Sequence, residues 1–307
     1  MAGRVIVVGS VNIDLVVTVE RRPAAGETVT GGRFSRHHGG KSGNQAVAAA
    51  RLGAQTIFIG AVGSDPFGAE VRAALFADGV DAANLVTLAG EATGLAFILV
   101  DAAGENSIAV ASGANAALTP NLVEAALHQV APLAGDVVLV GHEISTATAV
   151  AALRAGRSAD ATTIFNPAPA VGLTRESLDA AEILTPNRGE LAFLSGTDGP
   201  ADAAARALLA SATGVRAVLV SLGAGGARLV QRDVGADAVI PAESVAVVDT
   251  VGAGDALNGA LAAGLAAGQD LGTAARRAVV AAGLAVTRAG AREGMPTSAE
   301  LDARLAR

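Results

Sequence analysis

The 307-residue chain predicts an α/β protein: a three-layer α/β/α sandwich around a Rossmann-like parallel sheet, with a small β-sheet lid. Three observations carry this. Short β-branched runs alternate with Ala- and Leu-rich helical stretches over most of the length. Those runs are apolar at successive positions, as strands covered on both faces require. One region breaks the rhythm, with strands following strands and no helix between.

Residues 5–8, 56–59, 137–140, 162–165 and 217–220 read as the buried parallel strands. A helix is expected over 44–52, stopping at Gly53. Another is expected over 65–78, where Asp65 caps, Pro66 sits in the first turn and Gly79 ends it. Residues 95–100 and 107–111 flank the turn 101–106 as an antiparallel hairpin. Residues 12–19 and 28–34 read as strands too. These four pieces form a small sheet that covers the crevice at the strand C-termini, where open α/β sheets bind ligands. Residues 227–230 and 245–248 complete the predicted strands. Without repeat, linker or low-complexity tail, residues 1–307 are expected as one domain, its lid formed by about 12–36 and 93–112.

Composition narrows the function. Net charge is −7 with no long basic run, and there is no Tyr or Trp to stack on bases, so nucleic acid is not an expected partner. The absence of Cys removes disulfides, thiolate metal sites and a Cys nucleophile. The four His show no metal-ligand spacing, and His37-His38 are expected on a solvated loop. The run after Met1 is too short for a signal-peptide core, and no apolar stretch has membrane length, so a cytoplasmic protein without a membrane partner is expected.

Asp249-Thr250-Val251-Gly252-Ala253-Gly254-Asp255 holds the densest chemistry. A glycine turn opening a helix aims free backbone N–H groups and the positive end of the helix dipole at one point. Asp255 would repel an anion held there; it suits accepting a proton from a hydroxyl that attacks the bound phosphorus. An N-capping Asp in a tight turn is the plainer reading of the same residues.

Gly39-Gly40-Lys41-Ser42-Gly43-Asn44-Gln45 contains Gly-Lys-Ser but is no P-loop, since the required first Gly falls at Ser35. It places a glycine turn, a cation and an amide at a helix start, which suits polyol hydroxyls. Ser221-Leu222-Gly223-Ala224-Gly225-Gly226 fails as a dinucleotide fingerprint: its last Gly would be Arg228, and a strand follows instead of a helix. Such a turn either lies against a nucleotide's phosphates or is a tight hairpin. Asn187 and Glu190 share a helical face, where Glu190 would hold hydrated Mg²⁺ and Asn187 a phosphate; a helix start with an exposed Glu fits equally. Asn12 and Asp14 point the same way from an extended segment and would clamp vicinal hydroxyls. Glu143 stands at a strand C-terminus, as either a ligand group or a surface Glu.

In this order, the segments resemble the PfkB carbohydrate kinase family and its ribokinase-like fold over nearly the whole chain. The two family signatures are the Gly-Gly-Lys-x-x-Asn-Gln-Ala segment at 39–46 and the Asp-Thr-x-Gly-Ala-Gly-Asp segment at 249–255. Similar too are the stretches starting at Pro23, Gly113, Asn166 and Thr185.

The resemblance implies transfer of the ATP γ-phosphoryl group to the 5-hydroxyl of D-ribose. It makes Asp255 the base and the amides of Gly252, Ala253, Gly254 and Asp255 the anion hole. Asn12, Asp14, Gly40, Lys41, Asn44 and Glu143 would grip the sugar. Asn187 and Ser221, Leu222, Gly223, Ala224, Gly225 and Gly226, with Gly254, would hold ATP, and Glu190 would place Mg²⁺. A monovalent cation, K⁺, is expected at Asp249, Val251, Ala285, Arg288, Gly290 and Gly294, and a homodimer through the lid. Three positions depart from the family pattern. Gly294 stands where Ser is common, Ala278-Val279 where a polar residue often meets adenine, and Ser42-Gly43 where Gly-Ala is usual.

Overall fold

The computed structural model describes residues 2–234 and 237–306. Its first strand, β1 (Val5–Val8), is fully buried, with Val5 and Val7 in one apolar cluster and Ile6 and Val8 in the other. Alternate side chains of a strand leave opposite faces, so helices must cover both.

From β1 the chain leaves the main sheet for β2 (Asn12–Thr18) and β3 (Arg33–Gly39), then returns through α1 (Lys41–Arg51). Next come β4 (Thr56–Gly63), α2 (Pro66–Ala77), β5 (Val80–Asp81) and β6 (Leu85–Leu88). A second excursion makes β7 (Gly94–Val100) and β8 (Asn106–Ala111). Then follow α3 (Ala114–Ala117), α4 (Pro120–Val130), β9 (Val137–Gly141), α5 (Thr146–Ser158), β10 (Thr162–Asn166) and α6 (Arg175–Asp179). After β11 (Ile183–Leu184), α7 (Arg188–Ser195) and α8 (Ala201–Ser211), the sheet ends with β12 (Ala217–Ser221), β13 (Ala227–Gln231) and β14 (Ala238–Ile240). Four helices close the chain: α9 (Ala253–Ala266), α10 (Leu271–Ala285), α11 (Ala291–Gly294) and α12 (Ser298–Leu305).

The main sheet has the order β14-β13-β12-β11-β10-β9-β1-β4-β5, with β6 added on β4. It is parallel from β12 to β5 and antiparallel at the β12-β13-β14 edge. Strand β1 sits between β9 and β4, so the order reverses there and a crevice opens beyond its C-terminal end. The second sheet, β3-β2-β7-β8, rises from this end. Strand β8 is exposed throughout. Phe34, Phe97, Ile108 and Val110 of this sheet are all more than half exposed.

Helix α2 starts and stops as its sequence predicts: Asp65 accepts from the Gly68 N–H at 2.8 Å, Pro66 follows, and Gly79 turns at φ 81°. Helix α1 begins earlier than expected, at Lys41, because the Lys41 N–H finds an acceptor in Glu143 Oε2 at 3.0 Å, distant in sequence. Two predicted strands are corrected. Residues 28–34 overlap a strand only at their end, since β3 runs to Gly39 in a register that pairs Asn12 with Gly39. That register puts His37 and His38 on a strand, half-buried, rather than on a loop. Residues 245–248 form no strand, and Val247 and Val248 are exposed. Ala278 and Val279 are buried in the core of α10. Among the described residues no helix is long and apolar enough to cross a membrane.

Candidate active site

Helix α9 opens on Gly252, whose left-handed φ of 80° excludes most side chains, and a Cβ there would crowd Ala291. The N–H groups of Gly252, Gly254 and Asp255 have no acceptor among the described residues. Asp255, in the first turn, is 8% exposed. Its carboxylate accepts from Asn44 Nδ2 at 3.0 Å and from Gln45 Nε2 at 3.1 Å. Burial pushes its pKa up to about 6 against the pull of Lys41 and these two amides, with Glu143 adding to the rise. With a pKa of about 6 the group is mainly carboxylate at neutral pH yet more basic than an ordinary Asp, and beside a helix N-terminus with open amides it can take a proton from an alcohol while those amides receive developing anionic charge.

The crevice between β1 and β9 gathers the rest. Glu143, just past β9, accepts from Ser10 Oγ at 2.6 Å as well as from the Lys41 N–H. Lys41 lies among Asp255, Glu143, Glu190 and Asp14; burial pulls its pKa down, but these carboxylates together outweigh that and raise it. Asn12 and Asp14 lie on β2, flanked by glycines on both neighbouring strands. A Cβ on Gly39 would collide with the Asp14 carboxylate, and one on Gly94 with Asn12 Oδ1. These glycines leave a hollow in the second sheet in which the two polar side chains stand. Asn12 Oδ1 is fixed by Asn115 Nδ2 at 2.8 Å. Asp14 is raised to about 6 by burial first and by Glu143 second.

On the other side of Asp255, an isolated bridge pairs Asn187 with Ser221, and the Ser221 N–H donates to Pro186 O at 3.1 Å. This unites the two predicted nucleotide segments. The 221–226 stretch is a hairpin turn joining β12 and β13, as one of its two sequence readings held. Asn187 and Glu190 cap α7 reciprocally: the Glu190 N–H donates to Asn187 Oδ1 at 2.9 Å, and the Asn187 N–H to Glu190 Oε2 at 2.8 Å. Burial raises the Glu190 pKa, against that cap bond and Lys41.

Some of the expected cation positions meet in pairs. Asp249 accepts from the Val251 N–H and the Gly290 N–H, each at 2.9 Å, tying the two turns together. Ala285 O faces Gly294, where a Cβ would lie 2.8 Å away. The Arg288 side chain turns outward to Glu300, so only its backbone faces this loop. No group of three or more carboxylates or His gathers among the described residues. A Mg²⁺ with one protein carboxylate, Glu190, and otherwise phosphate and water oxygens fits that donor set.

Sequence reasoning missed Ser10, Gln45 as an Asp255 partner, Asn258 and Arg292. It noted Asn166 and Thr185 only as the first residues of family-like stretches, and Asn115 only as part of the one starting at Gly113. Asn166 Oδ1 accepts from Gln45 Nε2 at 3.0 Å, and Asn44 Oδ1 from Arg292 Nε at 3.1 Å.

A parallel sheet with its crevice at the reversal point, a buried carboxylate at a helix N-terminus and a roofed polar hollow together define an α/β small-molecule kinase. The chain belongs to the pfkB family of carbohydrate kinases, which its residues 2–298 match. It is 41% identical over 298 residues to a ribokinase of Bacillus subtilis, covering 96% of this chain and 97% of that one. Its fold matches the ribokinase of Thermotoga maritima, with a TM-score of 0.90, 32% identity and complete coverage of both chains. It also matches Arabidopsis thaliana ribokinase complexed with ribose and ATP, with a TM-score of 0.87, 31% identity and 99% coverage of each chain.

Proposed function

We propose that the chain transfers the γ-phosphoryl group of ATP to the 5-hydroxyl of D-ribose, as a ribokinase. The observation that carries this is the buried Asp255 carboxylate beside the open N–H groups of Gly252, Gly254 and Asp255, under the Asn12/Asp14 hollow. Asp255 takes the proton of the attacking hydroxyl. The phosphorus–oxygen bond to ADP breaks as the bond to the sugar oxygen forms, without a covalent enzyme intermediate. The amides of Gly252, Gly254 and Asp255 receive the charge on the transferring group, whereas that of Ala253, expected to join them, donates to Thr250 O at 3.4 Å. Asn12, Asp14, Gly40, Lys41, Asn44 and Glu143 hold the sugar, each polar group matched to a hydroxyl that both donates and accepts. Asn187 and the 221–226 turn hold ATP. Mg²⁺, placed with the help of Glu190, neutralises phosphate charge when bound. Residues 249, 251, 285, 288, 290 and 294 hold K⁺, which supports the anion-hole turn.

Residues 1–307 act as one domain in the cytoplasm, and the second sheet serves as the lid. Its exposed Phe34, Phe97, Ile108 and Val110 pair two copies. The test is ADP release against ribose, 2-deoxyribose, fructose and adenosine, each with and without K⁺. Ribose is expected to give the highest kcat/KM and K⁺ to raise it. Faster turnover of fructose or adenosine would reassign the substrate, and sugar binding without ADP release would make the chain a sensor.

A further inference from the structure

Arg292 lies in α11 and is 3% exposed, yet one of its nitrogens, Nη1, has no hydrogen-bond partner. Its other two nitrogens reach elements far away in sequence. Nε donates to Asn44 Oδ1 at 3.1 Å, and Nη2 to Gly39 O, at the end of β3, at 3.2 Å. The titratable and charged groups facing it are Asp78, Asp14, Glu293, Arg51 and His38, and none of them forms a direct ion pair with it among the described residues. Burial drives its pKa down to about 10. A guanidinium buried without an ion pair costs stability, more than an apolar side chain filling the same place would. Packing therefore does not account for it, whereas hydrogen-bond polarity does.

A guanidinium can only donate, and an ionised carboxylate can only accept. The Asn44 amide stands between the two. Its oxygen is claimed by Arg292 Nε, which leaves its Nδ2 to donate to Asp255 Oδ2 at 3.0 Å. Rotated by half a turn, the same amide would set an oxygen against the carboxylate and a donor against the guanidinium. We infer that Arg292 is a positioning residue. It fixes the Asn44 amide in the orientation that holds Asp255 as a hydrogen-bonded carboxylate, and its second arm ties that arrangement to the end of strand β3. This rests on the reading of Asp255 as the proton acceptor. Lys41, Glu143 and Gln45 also face Asp255, and no substitution below touches them.

The test compares Arg292→Met and Arg292→Lys in the full chain, with ribose-dependent ADP release measured against pH. Removing a hydrogen bond to a charged group is expected to lower kcat about tenfold in Arg292→Met. The acid limb of kcat should also move to higher pH, while the melting temperature stays level or rises. Arg292→Lys, which keeps a donor-only head, should recover most of the kcat and the acid limb. Wild-type kcat and an unmoved acid limb in Arg292→Met overturn the proposal.

Should Arg292→Met fail to fold, a cycle of Arg292→Gln, a polar variant that can offer Asn44 an oxygen, with Asn44→Ala decides. Loss of the Arg292→Gln effect once Asn44 is gone supports the relay, and additive effects overturn it. Absence of ADP release from the unaltered protein overturns the kinase reading, and this proposal with it.

Discussion

Gly259 of α9 rests directly on Gln45 of α1: a Cβ at Gly259 would lie 2.5 Å from Gln45 O and equally close to Ala48 Cβ. Gly259 is one turn beyond Asp255, and Gln45 is the residue whose amide donates to Asp255. The closeness of the two helices therefore sets the distance between Asp255 and its two amide partners. Small residues let backbones approach in this way, and a single added methyl group must push them apart.

Gly259→Ala is accordingly expected to destabilise the fold by about 1–3 kcal/mol, the usual range for overpacking, and to lower kcat by stretching the Asp255 contacts. Gly283 in α10 is the control, since a Cβ there meets nothing within 4 Å. Gly283→Ala should stabilise by about 0.5–1 kcal/mol through helix propensity, with kcat unchanged. Thermal melts and initial rates on both variants check this. Equal melting shifts of the same sign would show that the contact at Gly259 relaxes freely.

Asp255→Asn should cut kcat by about 10²–10⁴, the range for loss of a general base. The stability effect has two opposing parts. The pKa of Asp255 is raised in the fold from 3.8 to about 6, so its ionised form is a cost above that pH, which a neutral amide removes. The new amide nitrogen, however, must face Asn44 Nδ2 or Gln45 Nε2, which are both donors. The melting temperature should therefore move little while ADP release collapses. Retention of near-normal turnover would remove Asp255 from the chemistry.

Two carboxylates, Asp14 and Asp255, share a raised pKa of about 6, each mainly through burial. Both must be ionised to work, one as a hydroxyl acceptor and one as a base. The kcat/KM for ribose should therefore fall below pH 6 with a slope approaching 2, and kcat with a slope of 1. Stability runs the other way. A carboxylate whose folded pKa lies above its unfolded one contributes stability that is full below about 3.8 and lost as pH rises through about 6. Glu143→Gln removes the second cause of the Asp14 shift, and should move the acid limb of kcat/KM downward. A pH profile that stays flat to pH 4.5 would contradict both assignments.

Elements whose cause is local were legible in the sequence. The unbroken β-branched run Val5-Ile6-Val7-Val8 of β1 announces burial on both faces, and Asp65-Pro66 with Gly79 mark both ends of α2. The failures share a cause. Arg36, His37 and His38 give β3 no apolar alternation, and only pairing with β2 makes it a strand. Residues 245–248 have strand composition but no neighbouring strand; Val248 N donates to Val286 O at 2.8 Å, at a helix end.

The candidate site divides in the same way. Asp255, Gly252 and Asn44 declare themselves through glycine turns at helix starts. The residues that orient them do not, because Gln45 meets Asn166 across 121 positions and Asn44 meets Arg292 across 248. A polar residue in an Ala-rich helix looks the same whether it serves a network or faces water.

That network carries the last prediction. Thr185 Oγ1 donates to Asn258 Oδ1 at 2.6 Å, which leaves Asn258 Nδ2 to donate to Gly254 O at 2.8 Å. In a trans peptide the carbonyl and the following N–H point in opposite directions. Pinning Gly254 O toward Asn258 therefore aims the Asp255 N–H the other way, out of the helix start. Thr185 and Asn258 are 3% and 2% exposed, so water is a poor substitute for either bond. Thr185→Val keeps the side-chain shape and deletes only the hydroxyl, freeing the Asn258 amide to turn. Full loss of one anion-hole donor costs about 10²–10³ in kcat, so misaiming one should cost about tenfold, with the KM for ribose unchanged. Thr185→Ser, which restores the hydroxyl, should recover kcat. A Thr185→Val enzyme with lowered stability but wild-type kcat would reduce this chain of hydrogen bonds to packing.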